Sequence, residues 1–179
     1  MDKPASAETA LPSRLYAAPR ERGGWQIGDA ADELVSVVDS TAARLVDVSS
    51  SAAAAKPAPG KWSIKEIIGH LIDSAANNHQ RFVRAQYGDV LVLPGYAQDF
   101  WVQVQEYAEA PWPELVDFWR LFNHHLARVM RRIPPEMLEV ECRIGPYDPV
   151  PLGFVIEDYV AHLKHHLEQV NGIIAANRP

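Results

Sequence analysis

Four stretches of the chain place apolar residues at the three- and four-residue spacing of an amphipathic helix. They cover about 29–49, 64–87, 113–133 and 153–176. In each stretch the apolar residues form one stripe, and the stripe of the third stretch includes Phe118. Stripes of this width are buried against neighbouring helices in globular proteins. The pattern therefore predicts an all-α protein, a four-helix bundle.

Local signals mark several helix ends. Ser63 is a good N-cap, and Glu66 three residues later completes a capping box at the start of the second stretch. Gly88 is interpreted as the C-terminal stop of that helix. Pro113 suits the first turn of the third helix, and Pro134 ends it. These signals set the predicted boundaries.

The segments between the helices are assigned by composition. Residues 1–25, rich in Ala, Pro, Ser and Arg, are predicted to be a mobile N-terminal arm, and 26–179 a single helical-bundle domain. The string SSSAAAAKPAPGK is predicted to be a linker. A short helical stretch is expected near 98–107, and 139–151 is expected to form a short hairpin or an irregular excursion.

Length, charge and cysteine content narrow the function classes. The 179 residues, 47% of them hydrophobic, suit one domain with a sizeable core. A formal net charge of -6 without a basic stripe argues against nucleic acid and anionic membranes as partners. The apolar runs are too short to cross a bilayer, the N-terminus lacks a secretory core, and there is a single cysteine. We expect a cytoplasmic protein, and five tryptophans with an apolar bundle face favour a homodimer.

Histidines cluster in DYVAHLKHHLEQV on the fourth helix. His162 and His166 are four residues apart, so their rings lie about one turn apart on the same side, partly towards the core. His165 falls outside the apolar arc and is expected to face water. The pair has two interpretations that the spacing leaves open: two ligands of one metal ion, or two histidines hydrogen-bonded at the edge of the core.

The best candidate for a third ligand is His70 on the second helix. It shares a polar stripe with Ser74, Asn77 and Arg81 that borders the apolar face. The stripe is either a solvated edge or the wall of a cleft, in which His70 reaches a metal ion and the other three side chains meet a ligand. Arg81 would then hold a substrate carboxylate, and its alternative is a surface ion pair.

The remaining polar residues near these helices are assigned more simply. Asp158, one turn before His162, either orients that histidine as a hydrogen-bond acceptor or stabilises the start of the helix. His79, His124 and His125 are interpreted as surface or packing residues, with His124 exposed.

The chain resembles the DinB/YfiT-like superfamily of four-helix bundles, which are described as metal-dependent enzymes. The resemblance rests on GKWSIKEIIGHLIDSAANNHQRF, PGYAQDFW, the third helix and YVAHLKHHLEQV, and covers about residues 60–171. It implies that His70, His162 and His166 bind one divalent metal ion, typically nickel or zinc, with water in the open positions. It also implies that the segment containing Tyr96, Gln98, Asp99 and Trp101 forms a loop over the site. Tyr96 and Asp99 of this loop join Ser74, Asn77 and Arg81 as the five predicted residues of a substrate pocket.

The resemblance leaves the reaction open. Relatives include transferases that join a low-molecular-weight thiol to an electrophile and isomerases of thiol conjugates. We expect a metal-dependent thiol S-transferase acting on a small molecule; the alternatives are a metal-dependent hydrolase and a non-catalytic bundle that binds metal or ligand. Cys142 has no basic cluster beside it in sequence and is not nominated as a nucleophile, so the catalytic residues are unknown. A fourth protein ligand would favour a non-catalytic site.

Overall fold

The structure is a computed structural model that describes residues 24–176. Within them it has six α-helices and one small three-stranded sheet. The helices are α1 (Ile27–Leu45), α2 (Ser50–Ala54), α3 (Ile64–Arg84), α4 (Gln98–Val104), α5 (Trp112–Met130) and α6 (Leu152–Ala176), and the strands are β1 (Val90–Leu93), β2 (Glu141–Ile144) and β3 (Val150–Pro151).

The four long helices α1, α3, α5 and α6 form the bundle. Helix α1 packs against α5 and α6, and α3 packs against the same two helices on the other side. Leu34, Leu71, Trp119 and Leu163, one from each helix, are fully buried between them. This arrangement confirms the predicted all-α four-helix bundle.

The start of α3 is fixed as the sequence predicts. The Ser63 hydroxyl accepts a hydrogen bond from the Glu66 amide at 3.2 Å, and the Ser63 amide donates to the Glu66 carboxylate at 2.7 Å. The predicted role of Gly88 is wrong: α3 ends at Arg84, a 3₁₀ turn follows, and Gly88 has an extended backbone with φ -150°. Any residue adopts that conformation, so glycine is not required there.

Two helical predictions need correction. Part of the supposed linker forms α2, because Ser49 caps a run of alanines, which have the highest helix propensity. Phe118 is 54% exposed and lies outside the core, where its ring stacks on Phe122 at 5.7 Å. Helix α5 buries the face that meets α1 and α3, and Phe118 lies beyond the edge of that face.

The sheet closes one end of the bundle. The expected hairpin in 139–151 is confirmed, with β2 and β3 antiparallel, but β1 was not predicted and pairs in parallel with β2. Leu91 and Cys142 are paired across the two strands and are buried. Strand β1 packs against α3, and β2 and β3 pack against α6, so the sheet links the two helices that carry the predicted metal ligands.

Most of the predicted N-terminal arm lies outside the described residues. Trp25, its last residue, packs its ring against Gly153 and donates a hydrogen bond to Glu139 at 2.9 Å. A side chain on Gly153 would overlap that ring. Among residues 24–176, no helix is both long enough and apolar enough to cross a membrane.

Candidate metal centre

The structure brings the three predicted histidines together between α3 and α6. The Nε2 atom of His162 lies 3.4 Å from Nε2 of His70 and 3.2 Å from Nε2 of His166. One nitrogen of each ring lies within 4.8 Å of the other two. His70 is fully buried, His166 is 8% exposed, and His162 is half-buried.

These distances match those between ligands of one small metal ion. Nitrogen ligands about 2.0–2.1 Å from a tetrahedral zinc ion lie about 3.3 Å apart. Hydrogen bonding among the rings cannot explain the cluster, because Nε2 of His162 carries either one hydrogen or one lone pair and cannot serve both neighbours. Among the described residues, no other group of three His, Cys, Asp or Glu side chains comes together in this way.

All three imidazoles are held neutral. Burial lowers the pKa of His70 to about 2, and the nearby His166 and His162 act in the same direction. Burial, then His166 and His165, lower the pKa of His162 to about 3. Burial also lowers the pKa of His166, although its hydrogen bond to Gln169 opposes the shift. Neutral imidazole is the form that ligates a metal.

The second nitrogen of each ring has a different environment. His166 Nδ1 donates to the Gln169 amide oxygen at 3.1 Å, if Nε2 holds the lone pair. Nδ1 of His70 and Nδ1 of His162 are buried and have no hydrogen-bond partner among the described residues. The Trp62 ring packs on His70 with ring centres 4.9 Å apart. Trp62 and Gln169 were missed, although Gln169 stands at the i+3 spacing that makes such a contact.

The predicted contact between Asp158 and His162 is not formed. Nδ1 of His162 has no partner, and Nε2 faces the other two histidines. Asp158 instead interacts electrostatically with Arg81: burial raises the pKa of Asp158, and the guanidinium opposes the rise. The one-turn spacing places Asp158 on the same side of α6 as His162, but its carboxylate interacts with the charge of Arg81 on α3.

Three of the five predicted pocket residues meet beside the histidines. The Tyr96 hydroxyl lies next to the Ser74 side chain and near Arg81. Arg81 donates to the Asn78 amide oxygen at 3.2 Å and is close enough to His162 to help lower its pKa. Arg81 is partly buried and Ser74 is buried, so their stripe is not a fully solvated edge.

The other two predicted pocket residues are less involved. Asn77 is half-buried on the same stripe, and its amide donates to the Asp73 carbonyl at 2.9 Å. Asp99 is exposed in the first turn of α4, and within the described part of the chain it makes no hydrogen bond or ion pair that would bring it into this group.

A polar network that the sequence did not reveal holds the neighbouring loop against α3. The Tyr107 hydroxyl and the Gln105 amide each donate to one Asp73 carboxylate oxygen at 2.7 Å. Gly69, which precedes His70, makes room for the Tyr107 ring, because a Cβ atom there would overlap it. No motif marks this network, since its members are far apart in the chain.

The remaining histidines are not part of the cluster. His165 is exposed, as predicted, and its ring contacts the Gln169 amide at 3.1 Å. His124 is half-buried rather than exposed, because it pairs with Asp39 at 2.8 Å. His79 and His125 are packing residues whose Nε2 atoms lie 3.4 Å apart.

Comparisons with known proteins agree with this architecture. Residues 33–170 match the sequence model of the DinB superfamily. A protein of Oceanobacillus iheyensis, named as a candidate metal-dependent hydrolase, is 23% identical over 114 residues. That alignment spans 64% of this chain and 66% of the relative, just under two thirds of its length.

A solved structure shares the fold. It is YfiT from Bacillus subtilis, described as a probable metal-dependent hydrolase with an unusual four-helix bundle topology. The superposition has a TM-score of 0.75 at 17% identity and covers 88% of this chain and 91% of YfiT. Because the matched family model extends over most of the sequence, the chain belongs to the DinB superfamily.

Proposed function

We propose that His70, His162 and His166 bind one divalent metal ion, nickel or zinc, through their Nε2 atoms. The observation that carries the proposal is the convergence of three buried, neutral imidazoles at ligand spacing. Three protein ligands leave a position free for a substrate, as in catalytic rather than structural zinc sites. We therefore propose that the protein is an enzyme acting on a small molecule.

The proposed reaction is the transfer of a low-molecular-weight thiol to an electrophile. A divalent ion at the three histidines lowers the pKa of a thiol or a water molecule bound to it. A thiol, with an ordinary pKa near about 8.5, needs a much smaller shift than water to ionise at neutral pH. Among the described residues no carboxylate is hydrogen-bonded to these three histidines. Ionising a thiol, which needs the smaller pKa shift, therefore requires less help from other side chains than ionising water does.

The residues beside the histidines have roles in positioning the substrate. Arg81 presents a partly buried positive charge towards the cleft, and Tyr96 keeps a neutral hydroxyl, because burial raises its pKa to about 12. Both side chains can donate hydrogen bonds to an oxygen of the substrate. Trp62 covers one side of His70 and limits the access of water.

Hydrolysis is the second candidate. It is supported by the names of the Oceanobacillus iheyensis relative and of YfiT, both of which point to metal-dependent hydrolases. Asp158 is the carboxylate that could accept a proton from water in that reaction, because burial raises its pKa.

The experiment uses untagged protein made metal-free with a chelator. We expect it to take up about one nickel, zinc or cobalt ion per chain. Loaded protein should then conjugate a small thiol to a chromogenic electrophile, and the metal-free protein should not. Failure to bind any of these ions at micromolar concentration would refute the metal site. Turnover of an ester or amide without any thiol conjugation would favour the hydrolase.

We also propose that the protein is cytoplasmic and homodimeric, that it has no nucleic-acid partner, and that residues 1–25 form an arm beside one domain of residues 26–179.

A further inference from the structure

The two helices that carry the histidines also carry two opposite charges that interact electrostatically, Arg81 on α3 and Asp158 on α6. Helices α3 and α6 run antiparallel here: His70 faces His162 and His166, and further along α3 the Phe82 ring lies 5.9 Å from the ring of Tyr159. Arg81 and Asp158 immediately precede that second contact pair. The two charges therefore lie on facing helices at one side of the histidine cluster.

Within residues 24–176, neither charge has an oppositely charged group in direct contact. Arg81 has five N–H donors, and the hydrogen bond it makes within the described chain goes to Asn78. Asp158 forms no hydrogen bond or ion pair with the described residues, although its carboxylate and Arg81 influence each other electrostatically. By contrast, other opposite charges in the protein pair directly, as Arg120 does with Asp39 at 2.7 Å.

The surroundings make these charges effective in recognition. Asp158 is exposed to solvent, yet the protein atoms around its carboxylate raise its pKa, so the carboxylate is partly dehydrated. Arg81 is half-buried, and burial lowers its pKa. Hydrogen bonds to charged groups in such partly dehydrated sites are stronger than those at an open surface.

We propose that Arg81 binds the carboxylate and Asp158 the ammonium group of a zwitterionic, amino-acid-like end of the substrate. The assignment of the reactive thiol to the histidines rests on the proposed function, whereas the recognition of the two charges does not. The proposal gives the substrate class: a small thiol that carries an α-amino carboxylate, rather than one with a single charge.

Three small thiols separate the two contacts. Cysteine carries both charges, N-acetylcysteine has the carboxylate without the ammonium group, and cysteamine has the ammonium group without the carboxylate. Each is titrated calorimetrically into the wild-type protein, Arg81→Gln and Asp158→Asn, after circular dichroism has confirmed folding. Arg84→Gln and Asp117→Asn, at exposed positions without an assigned role, serve as matched controls.

The expected result is a crossed pattern. Cysteine should bind the wild type about tenfold or more tightly than either analogue, the scale of one hydrogen bond to a charged group. Arg81→Gln should weaken cysteine and N-acetylcysteine but not cysteamine. Asp158→Asn should weaken cysteine and cysteamine but not N-acetylcysteine. Equal affinity for the three thiols, or variants that weaken all three alike, would overturn the proposal.

The same titrations are repeated on metal-free protein, with serine added as a fourth ligand that has both charges but no thiol. This keeps the test of the two charges apart from the test of the metal site. Selectivity for the two charges should persist without metal, and the preference for cysteine over serine should appear only with metal. A protein that binds no metal but keeps the crossed pattern would refute the proposed function and leave the zwitterion site standing.

Discussion

The direction of a side chain on α6 separates histidines that are neighbours in sequence. His162 and His166 point into the cleft, and His165 is exposed. We expect His162→Ala and His166→Ala to weaken metal binding by orders of magnitude, because only two ligands remain. His165→Ala should leave it nearly unchanged, since most surface substitutions change little. Calorimetric titration of the three folded variants with nickel or zinc makes the comparison.

One outcome of these titrations would contradict the predicted metal site. If His165→Ala were the most damaging of the three, the ion would have to lie on the outer side of α6, and His70 could not reach it. His70→Ala provides the matching variant on α3, and its loss should resemble that of His166→Ala.

The amide of Gln169 fixes the orientation of one ring. Because it accepts from His166 Nδ1, Nε2 of that ring keeps its lone pair towards the other histidines. We expect Gln169→Ala to lower metal affinity about tenfold to a hundredfold, the usual cost of losing a partner that orients a ligand. Glu168→Ala, at the adjacent exposed position, is the control. An unchanged affinity in Gln169→Ala would show that packing alone orients the ring.

At this scale the sequence indicates direction but not contact. Spacing of four residues placed His162 and His166 on one side of the helix, and the polar stripe with Ser74, Asn77 and Arg81 singled out His70, which the family motif also matches. The same reasoning offered Asp158 as the partner of His162, yet the structure pairs a histidine with Gln169 instead. Asp158 and Gln169 both lie within about one turn of a histidine. The choice between them depends on ring rotation and on Arg81, which belongs to another helix.

Elements were predictable where their signals are local. The capping box at Ser63 and the apolar spacing of the four long helices lie within single segments, and both predictions are confirmed. Strand β1 pairs with β2, about 50 residues away, so its own four residues carry little information about the partner. The burial of Phe118 was wrongly predicted for a similar reason. Spacing identifies the apolar face of a helix, but it does not show where the neighbouring helices stop covering that face.

The contact between α3 and the loop after α4 gives a prediction for an element. Gly69 lets the Tyr107 ring lie against α3 beside His70, and Tyr107 donates to Asp73 from that position. We expect Gly69→Ala to displace Tyr107 and to destabilise the protein by about 1–3 kcal/mol, the usual cost of overpacking. Alanine otherwise favours a helix over glycine by about 1 kcal/mol.

The control uses the same substitution where space is free. Gly172, in α6, has no atom near the position of an added Cβ. Gly172→Ala should therefore leave the free energy of unfolding unchanged or raise it, as measured by urea denaturation. Equal effects at the two positions would mean that the loop yields without strain. Metal affinity of Gly69→Ala should also fall, since His70 is the next residue.

At the scale of the whole molecule, the histidine cluster destabilises the folded state when no metal is bound. The bundle takes His70 and His162 out of water and lowers their pKa to about 2 and about 3. In the unfolded chain both titrate near about 6.5. Below that pH the unfolded state binds more protons than the folded state, so the free energy of unfolding must fall as the pH falls.

We therefore expect the metal-free protein to lose stability between pH 7 and pH 5, by up to about 1.4 kcal/mol per pH unit for each of the two histidines. His166 and His79, whose pKa burial also lowers, act in the same direction, whereas Asp73 and Asp158, whose pKa burial raises, oppose it. The carboxylates with lowered pKa, Asp39 and Glu66, contribute only near or below about pH 4.5, outside this window. Urea denaturation of metal-free wild type and His70→Gln at pH 7, 6 and 5 measures the effect. The variant should show a shallower decline, because the titration of His70 is removed. A free energy of unfolding that stays constant or rises from pH 7 to pH 5 in the wild type would contradict the burial of neutral histidines between α3 and α6.

Added nickel or zinc should restore stability most strongly at pH 7. Binding to the folded state alone adds to the free energy of unfolding. At lower pH protons compete with the metal for the ligands, so the gain should be smaller.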